Sequence, residues 1–177
     1  LNGVTLLAVP FWAFTALKLG KRNTWLLAMT LLFIGFCIFY IYPISTLHEL
    51  LYILAFIGLG NGATGVLFWS MLPDTIEYGE WKSGIRTESS LYGFMTFAQK
   101  GAIAVAVIIL GVALTKIGFV ANQDQSVETL KGLKSLMSLI PLVGIFISFT
   151  LIYFYPIDRA LHQKLITEIQ QRGEIND

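Results

Sequence analysis

Five apolar runs, each of about the length that crosses a bilayer, dominate this chain of 177 residues. They cover Asn2 to Leu19, Thr24 to Ile41, Leu50 to Leu72, Ser90 to Phe119 and Leu136 to Tyr155. At a helical rise of ~1.5 Å per residue, about 20 residues span the ~30 Å hydrocarbon core. Lipid offers a backbone no hydrogen-bond partner, so each run is predicted to be a helix that pairs its own amides. None of the runs alternates polar and apolar residues as the strands of a membrane barrel do. Composition agrees, with 55% hydrophobic and only 13% charged residues, against roughly 25% charged in soluble domains. Mean hydropathy is +0.70. The expected fold is all-α: a polytopic membrane helix bundle over residues 1–155, followed by a tail over 156–177.

The tail, IDRALHQKLITEIQQR, places Ile157, Leu161, Leu165 and Ile169 four apart on one helical stripe. It is expected to be an amphipathic helix docked under the bundle or lying on the membrane surface. Lys18, Lys21, Arg22, Lys82, Arg86, Arg159, Lys164 and Arg172 collect on one side of the predicted spans, and Lys116, Lys131 and Lys134 on the other. The positive-inside rule then makes the tail and the charged 74–89 loop cytoplasmic. The chain opens on Leu1 in already apolar sequence, without an initiator Met or a charged n-region. It therefore reads as a piece of a longer protein.

Several function classes are excluded. The net charge is +1 and no basic run exceeds two residues, so no nucleic-acid partner is expected. Cys37 is the single cysteine and lies in an apolar run, where it is a small buried apolar residue rather than half of a disulfide or metal site. His48 and His162 have no cysteine or second histidine at ligand spacing and read as surface residues, so no metal and no cofactor is expected. No serine combines with a histidine and a carboxylate at comparable depth, which argues against an enzyme.

The third run contains GLGNGATG, in which Gly60, Gly62 and Gly65 match G-x-G-x-x-G. A dinucleotide loop needs a preceding strand, and here the glycines lie inside a membrane run. Gly58 and Gly62 instead form G-x-x-x-G, which lets another helix approach closely. Asn61 and Thr64, three apart, share a face that points polar groups into a cavity.

Lys100 lies ten residues beyond Ser90, roughly 15 Å along the fourth run and so near the bilayer midplane. A lysine there costs about 3 kcal/mol on insertion scales, so it must meet water or an anion. Tyr92, Thr96, Gln99 and Lys100 are predicted to share one side of that helix, as the wall of a water-accessible cavity. The alternative is a lysine buried against a structural carboxylate. No acidic residue lies at midplane depth in any of the five runs, so its anionic partner is expected from outside this chain or from the ligand.

Residues 72–101, LPDTIEYGEWKSGIRTESSLYGFMTFAQKG, resemble the signature of the glycoside-pentoside-hexuronide:cation symporters, the melibiose-carrier-like branch of the major facilitator superfamily. Asp74, Tyr78, Gly79, Glu80, Arg86, Glu88, Ser89, Tyr92, Lys100 and Gly101 match it in order and spacing. The likeness extends through the IGFVANQDQS loop, the last apolar run and the tail. It implies that the five runs are helices eight to twelve of a twelve-helix carrier, with about 250 preceding residues elsewhere.

The resemblance further implies import of a sugar or glycoside coupled to Na⁺, H⁺ or Li⁺, with the cation bound mainly by the amino-terminal half of the carrier. Lys100 would correspond to the family's coupling lysine, and Thr96 to a threonine of the sugar cavity. That cavity would be lined by Asn61, Thr64, Tyr92, Thr96 and Gln99. Met95 stands where the melibiose type has Gln, and WKSGIR is closer in wording to the glucuronide and xyloside branch, which points to a hexuronide, pentoside or similar glycoside. Asp74, Glu77, Glu80, Arg86 and Glu88 would be cytoplasmic gate residues, with Lys21 and Arg22 as basic partners. A sugar sensor or a structural subunit with the same fold, moving nothing across the membrane, is the alternative reading. The expected partners are a small sugar, membrane lipid and the other half of the carrier.

Overall fold

The computed structural model describes residues 1–176; nothing is described of Asp177, nor of the side chains of residues 172–176. Six helices follow one another: α1 (Asn2–Leu19), α2 (Lys21–Ile41), α3 (Leu47–Ser83), α4 (Glu88–Lys116), α5 (Val127–Tyr153) and α6 (Arg159–Asn176). The first five are long and apolar enough to cross a membrane.

Helix length departs from the extent of the apolar runs. α3 continues past the expected end at Leu72, through Pro73 and the charged stretch, to Ser83. It has 37 residues, roughly 55 Å of helix against a ~30 Å hydrocarbon core. The charges at 74–83 are thus a helical extension and not a loop. Hydropathy marks only where lipid is tolerated, whereas the helix stops where Gly84 takes up φ 72° and its amide closes on the Glu80 carbonyl at 2.8 Å. α5 likewise begins at Val127 rather than Leu136, because Ser126 accepts from the Thr129 amide at 3.1 Å and starts the helix in polar sequence. α2 starts at Lys21 and not Thr24, directly after a one-residue turn at Gly20 with φ 81°. α4 covers Glu88–Lys116 rather than Ser90–Phe119; it ends before Gly118, whose φ is 72°.

α1, α2, α3 and α5 pack together. Trp12 and Ala8 of α1 meet Ala28 of α2 and Ala63 and Leu67 of α3 in one core cluster, with Trp12 1% exposed. Met29, Leu32 and Phe39 of α2 meet Ile57 of α3 and Ile145 of α5 in a second. The glycine-rich stretch of α3 permits this approach. A Cβ at Gly62 would lie 2.7 Å from the Ala8 Cβ, and one at Gly60 would lie 2.7 Å from Leu32 Cγ. Across the same seam Thr5 donates to the Gly58 carbonyl at 3.1 Å and Trp12 Nε1 to the Leu59 carbonyl at 2.7 Å. The glycines therefore serve helix packing, as the G-x-x-x-G spacing predicts.

α4 is different, since none of its residues is buried. Lipid tails are as apolar as leucine, so a membrane helix gains no hydrophobic energy by hiding its apolar side chains in the bundle. α4 leans on α3 near its start and leaves open space between itself, α3 and α5. α6 packs beneath α3, with Leu165 fully buried and Ile157 buried just before the helix, while Leu161 and Ile169 are half-buried. Arg172 of the tail lies outside the described side chains.

Candidate functional site

Two groups of polar residues stand out, one within the membrane span and one at the charged end of the bundle. The first surrounds a cavity of about 680 Å³ between α3, α4 and Trp25 of α2. Thr64, Phe68 and Trp69 line it from α3, and Met95, Gln99 and Ala102 from α4. The four-residue spacing of Thr64 and Phe68 puts a hydroxyl and a ring on one face. Thr64 donates its hydroxyl hydrogen to the Asn61 carbonyl at 2.8 Å, which leaves its oxygen able to accept. Gln99 reaches the cavity with an amide that offers both donors and an acceptor. Phe68 and Trp69 stand edge to face, their centroids 5.4 Å apart. Trp25 directs its ring nitrogen to Ser148 of α5 at 2.8 Å, so it presents the cavity chiefly with ring surface. Ring faces beside a few hydrogen-bonding groups suit a polyhydroxylated ring with apolar C–H faces better than they suit acid–base chemistry.

The structure divides the expected cavity wall in two. Thr64 and Gln99 share this cavity, whereas Asn61, Tyr92, Thr96 and Lys100 do not line it. On α4 the residues facing α3 follow the spacing Met95, Gln99, Ala102, Ala106, while Tyr92, Thr96 and Lys100 form the adjoining stripe beside it. Those three are exposed, as is the rest of that face of α4. Lys100 lies near the middle of the helix, with no hydrogen bond or ion pair among the described residues.

At the charged end, Lys21 Nζ lies 2.7 Å from Asp74 Oδ1 and donates to the Ser70 carbonyl at 2.7 Å. Asp74 is buried, with 9% of its side chain exposed. His162 Nε2 is 2.9 Å from Glu77 Oε2 and 3.3 Å from Asp74 Oδ1, which ties α6 to α3. Trp81 Nε1 adds a bond to Glu168 at 2.6 Å. Arg86 bridges Glu80 and Glu88 at 3.0 Å each. Those two carboxylates, Glu88 foremost, raise the pKa of its guanidinium further. Arg22 pairs with no carboxylate among the described residues but donates to the Tyr153 carbonyl at 2.9 Å. The gate candidates thus lie together at one end of the bundle; Lys21, Asp74, Glu80, Arg86 and Glu88 are joined in ion pairs and Glu77 is hydrogen-bonded to His162.

His162 was expected to be a plain surface residue. Its contacts were hidden by a separation of 85 residues from Glu77, and nothing in the local spacing of the tail announces them. Single ligand atoms of Asp74, Glu77 and His162 lie within 4.8 Å of one another, a separation a metal ion could bridge. The Lys21 ammonium already occupies the Asp74 carboxylate, so the cluster is held together as an ion-pair network.

A family profile described as MFS/sugar transport protein matches residues 1–159. The chain belongs to this family. Within it, the match lies with the glycoside-pentoside-hexuronide:cation symporters of the major facilitator superfamily, a family of transporters and not of enzymes. The glucuronide carrier protein homolog of Escherichia coli strain K12 is 29% identical over 171 residues, 97% of this chain and 37% of that protein. The isoprimeverose transporter of Lactiplantibacillus pentosus is 32% identical over 170 residues, 96% of this chain and 35% of its own length. The uncharacterized symporter YjmB of Bacillus subtilis strain 168 is 29% identical over 175 residues, 97% of this chain and 37% of that protein. The chain therefore spans little more than a third of the length of these curated relatives. Two of these relatives are named for a glucuronide and for isoprimeverose, and the apolar helices of this chain make it an integral membrane protein.

Proposed function

We propose that this chain is part of a secondary active transporter that imports a sugar or glycoside, a hexuronide, pentoside or similar, by cation symport through alternating access. The observation that carries this reading is the cavity between α3 and α4. There Thr64 and Gln99 face a common space beside the rings of Phe68 and Trp69, in a chain whose relatives carry sugars. The sugar would hydrogen-bond to Thr64 and Gln99 and lay a C–H face on an aromatic ring, while Asn61, Tyr92 and Thr96 would meet it from flanking positions as the carrier changes state.

Lys100 would couple the cation to the sugar. An unpaired ammonium in the middle of a membrane helix is costly, so its energy depends strongly on any nearby charge. A cation bound by the amino-terminal half, Na⁺ or H⁺, would change that field and with it the preferred state of the carrier. At the charged end, taken as the cytoplasmic face of a bacterial inner membrane, Asp74, Glu77, Glu80, Arg86 and Glu88 would exchange partners between states, with Lys21 and Arg22 supplying positive charge. The exposed pairs of Arg86 contribute about 0 to 1 kcal/mol each and the buried Lys21–Asp74 pair more, so together they bias a two-state equilibrium without freezing it.

The test is uptake of a panel of labelled sugars by the full-length protein in vesicles under imposed Na⁺ and H⁺ gradients. Accumulation above equilibrium under one gradient is expected, and Lys100→Leu should abolish accumulation while leaving sugar exchange at equilibrium. Binding without movement would replace the transporter by a sensor of the same fold, and full accumulation by Lys100→Leu would remove the coupling role.

A further inference from the structure

We propose that the pocket between the α1–α2 turn and the start of α6 binds the phosphate of an anionic phospholipid. The pocket encloses about 540 Å³ and is lined by Lys21, Arg22 and Arg159, with Leu17, Leu19 and Ile157 as apolar walls. Its charges do not cancel locally. Asp74 and Asp158 line it too; Asp74 is held by Lys21, and Asp158 accepts the Leu161 amide at 2.7 Å as a cap on α6 but keeps its charge, so the three cationic side chains outnumber the carboxylates. Arg22 donates to the neutral Tyr153 carbonyl and has no ion pair among the described residues. Arg159 is exposed and makes no hydrogen bond or ion pair among the described residues. A net positive charge therefore remains in the pocket, carried on two guanidinium groups, and guanidinium is the side-chain group whose fork of donors best matches phosphate oxygens.

α2 also begins here. Its N-cap is Gly20, no side chain caps it, and its first amides and helix dipole add to the positive field. The position separates a lipid from a soluble phosphate. α1 ends its apolar span at Leu19, so the pocket lies at headgroup level. Leu17 and Leu19 at its mouth are 73% and 51% exposed, a surface along which an acyl chain can run while the phosphate sits inside.

The experiment is native mass spectrometry of the full-length carrier in detergent, titrated with phosphatidylglycerol or phosphatidylcholine, with inorganic phosphate as competitor. Phosphatidylglycerol should be retained more tightly than phosphatidylcholine. Arg159→Gln should weaken its binding about fivefold, the loss expected for one basic residue at an anionic surface, while Arg159→Lys keeps most of it. Phosphatidylcholine retention and the melting temperature in lipid-free detergent should not change, since Arg159 is exposed. Equal retention of the two lipids by the wild type would overturn the proposal, as would full phosphatidylglycerol retention by Arg159→Gln. Displacement of the lipid by inorganic phosphate at equal concentration would overturn the lipid assignment in favour of a soluble phosphate.

Discussion

The Lys21 ammonium lies 2.7 Å from a carboxylate oxygen of Asp74, and that carboxylate is almost wholly buried where the α1–α2 turn meets α3. Removing one partner leaves the other short of its bond. Asp74→Asn is expected to destabilise the bundle by about 2 kcal/mol, between the cost of breaking a buried pair and that of losing an exposed one. The double variant Lys21→Met, Asp74→Asn should lose less than the sum of the two single variants. Melting of the detergent-solubilised protein checks both, and strict additivity would show that the pair is not coupled.

The second relationship is steric. At Gly62 an added Cβ would meet the Ala8 Cβ at 2.7 Å and the Thr5 carbonyl at 2.8 Å, whereas at Gly79 on the same helix nothing lies within 4 Å. Gly62→Ala should cost about 1 to 3 kcal/mol by forcing α1 away from α3, whereas Gly79→Ala should raise the melting temperature slightly, since alanine favours a helix interior over glycine by about 0.5–1 kcal/mol. Equal effects at the two positions would mean that the α1–α3 seam is looser than described.

Tyr155 carries a hydroxyl that is buried without a hydrogen-bond partner among the described residues, beside the Thr75 hydroxyl, which donates to the Met71 carbonyl. Burial pushes its pKa up to about 12, Thr75 opposes part of that shift, and the charge of Asp74 adds to it. The phenol is neutral in both folded and unfolded chains below its ordinary value of 10.0. Above that value the unfolded chain ionises first, so stability falls as pH rises from 10.0 through about 12. Ultraviolet titration should show one late tyrosine, missing in Tyr155→Phe. Removing an unsatisfied hydroxyl should leave that variant at least as stable as the wild type at neutral pH.

Arg86, about half exposed, bridges Glu80 and Glu88 at the surface. Arg86→Gln should therefore leave the melting temperature alone while changing the rate of sugar uptake, the pattern expected of a pair that biases conformations. Uptake identical to the wild type would assign the pair to the surface alone.

The fold was readable from the sequence because apolar length and the demand for internal hydrogen bonding leave a membrane chain little choice. The break expected after Leu72 was an error of inference from polarity: α3 runs on to Gly84, since helices end at caps and positive-φ residues and not where lipid ends. Gly58, Gly60 and Gly62 were legible as packing residues, as small residues at those spacings have one main use within a membrane run. The division of Gln99 from Lys100 was not legible. Adjacent residues on a helix differ by about 100°, and only the position of α3 reveals which of the two faces the cavity. His162 was illegible for the opposite reason, because its partners lie far away in sequence.

The most direct test of the central claim, that the transported sugar lies between Thr64 and Gln99, is counterflow of labelled sugar by the full-length carrier carrying Thr64→Val or Gln99→Leu. Each variant should raise the half-saturation concentration by roughly tenfold, the worth of one or two hydrogen bonds, without altering the amount of folded protein. Unchanged half-saturation in both, with a large rise in Tyr92→Phe or Thr96→Val instead, would contradict the claim and put the sugar on the adjoining stripe of α4.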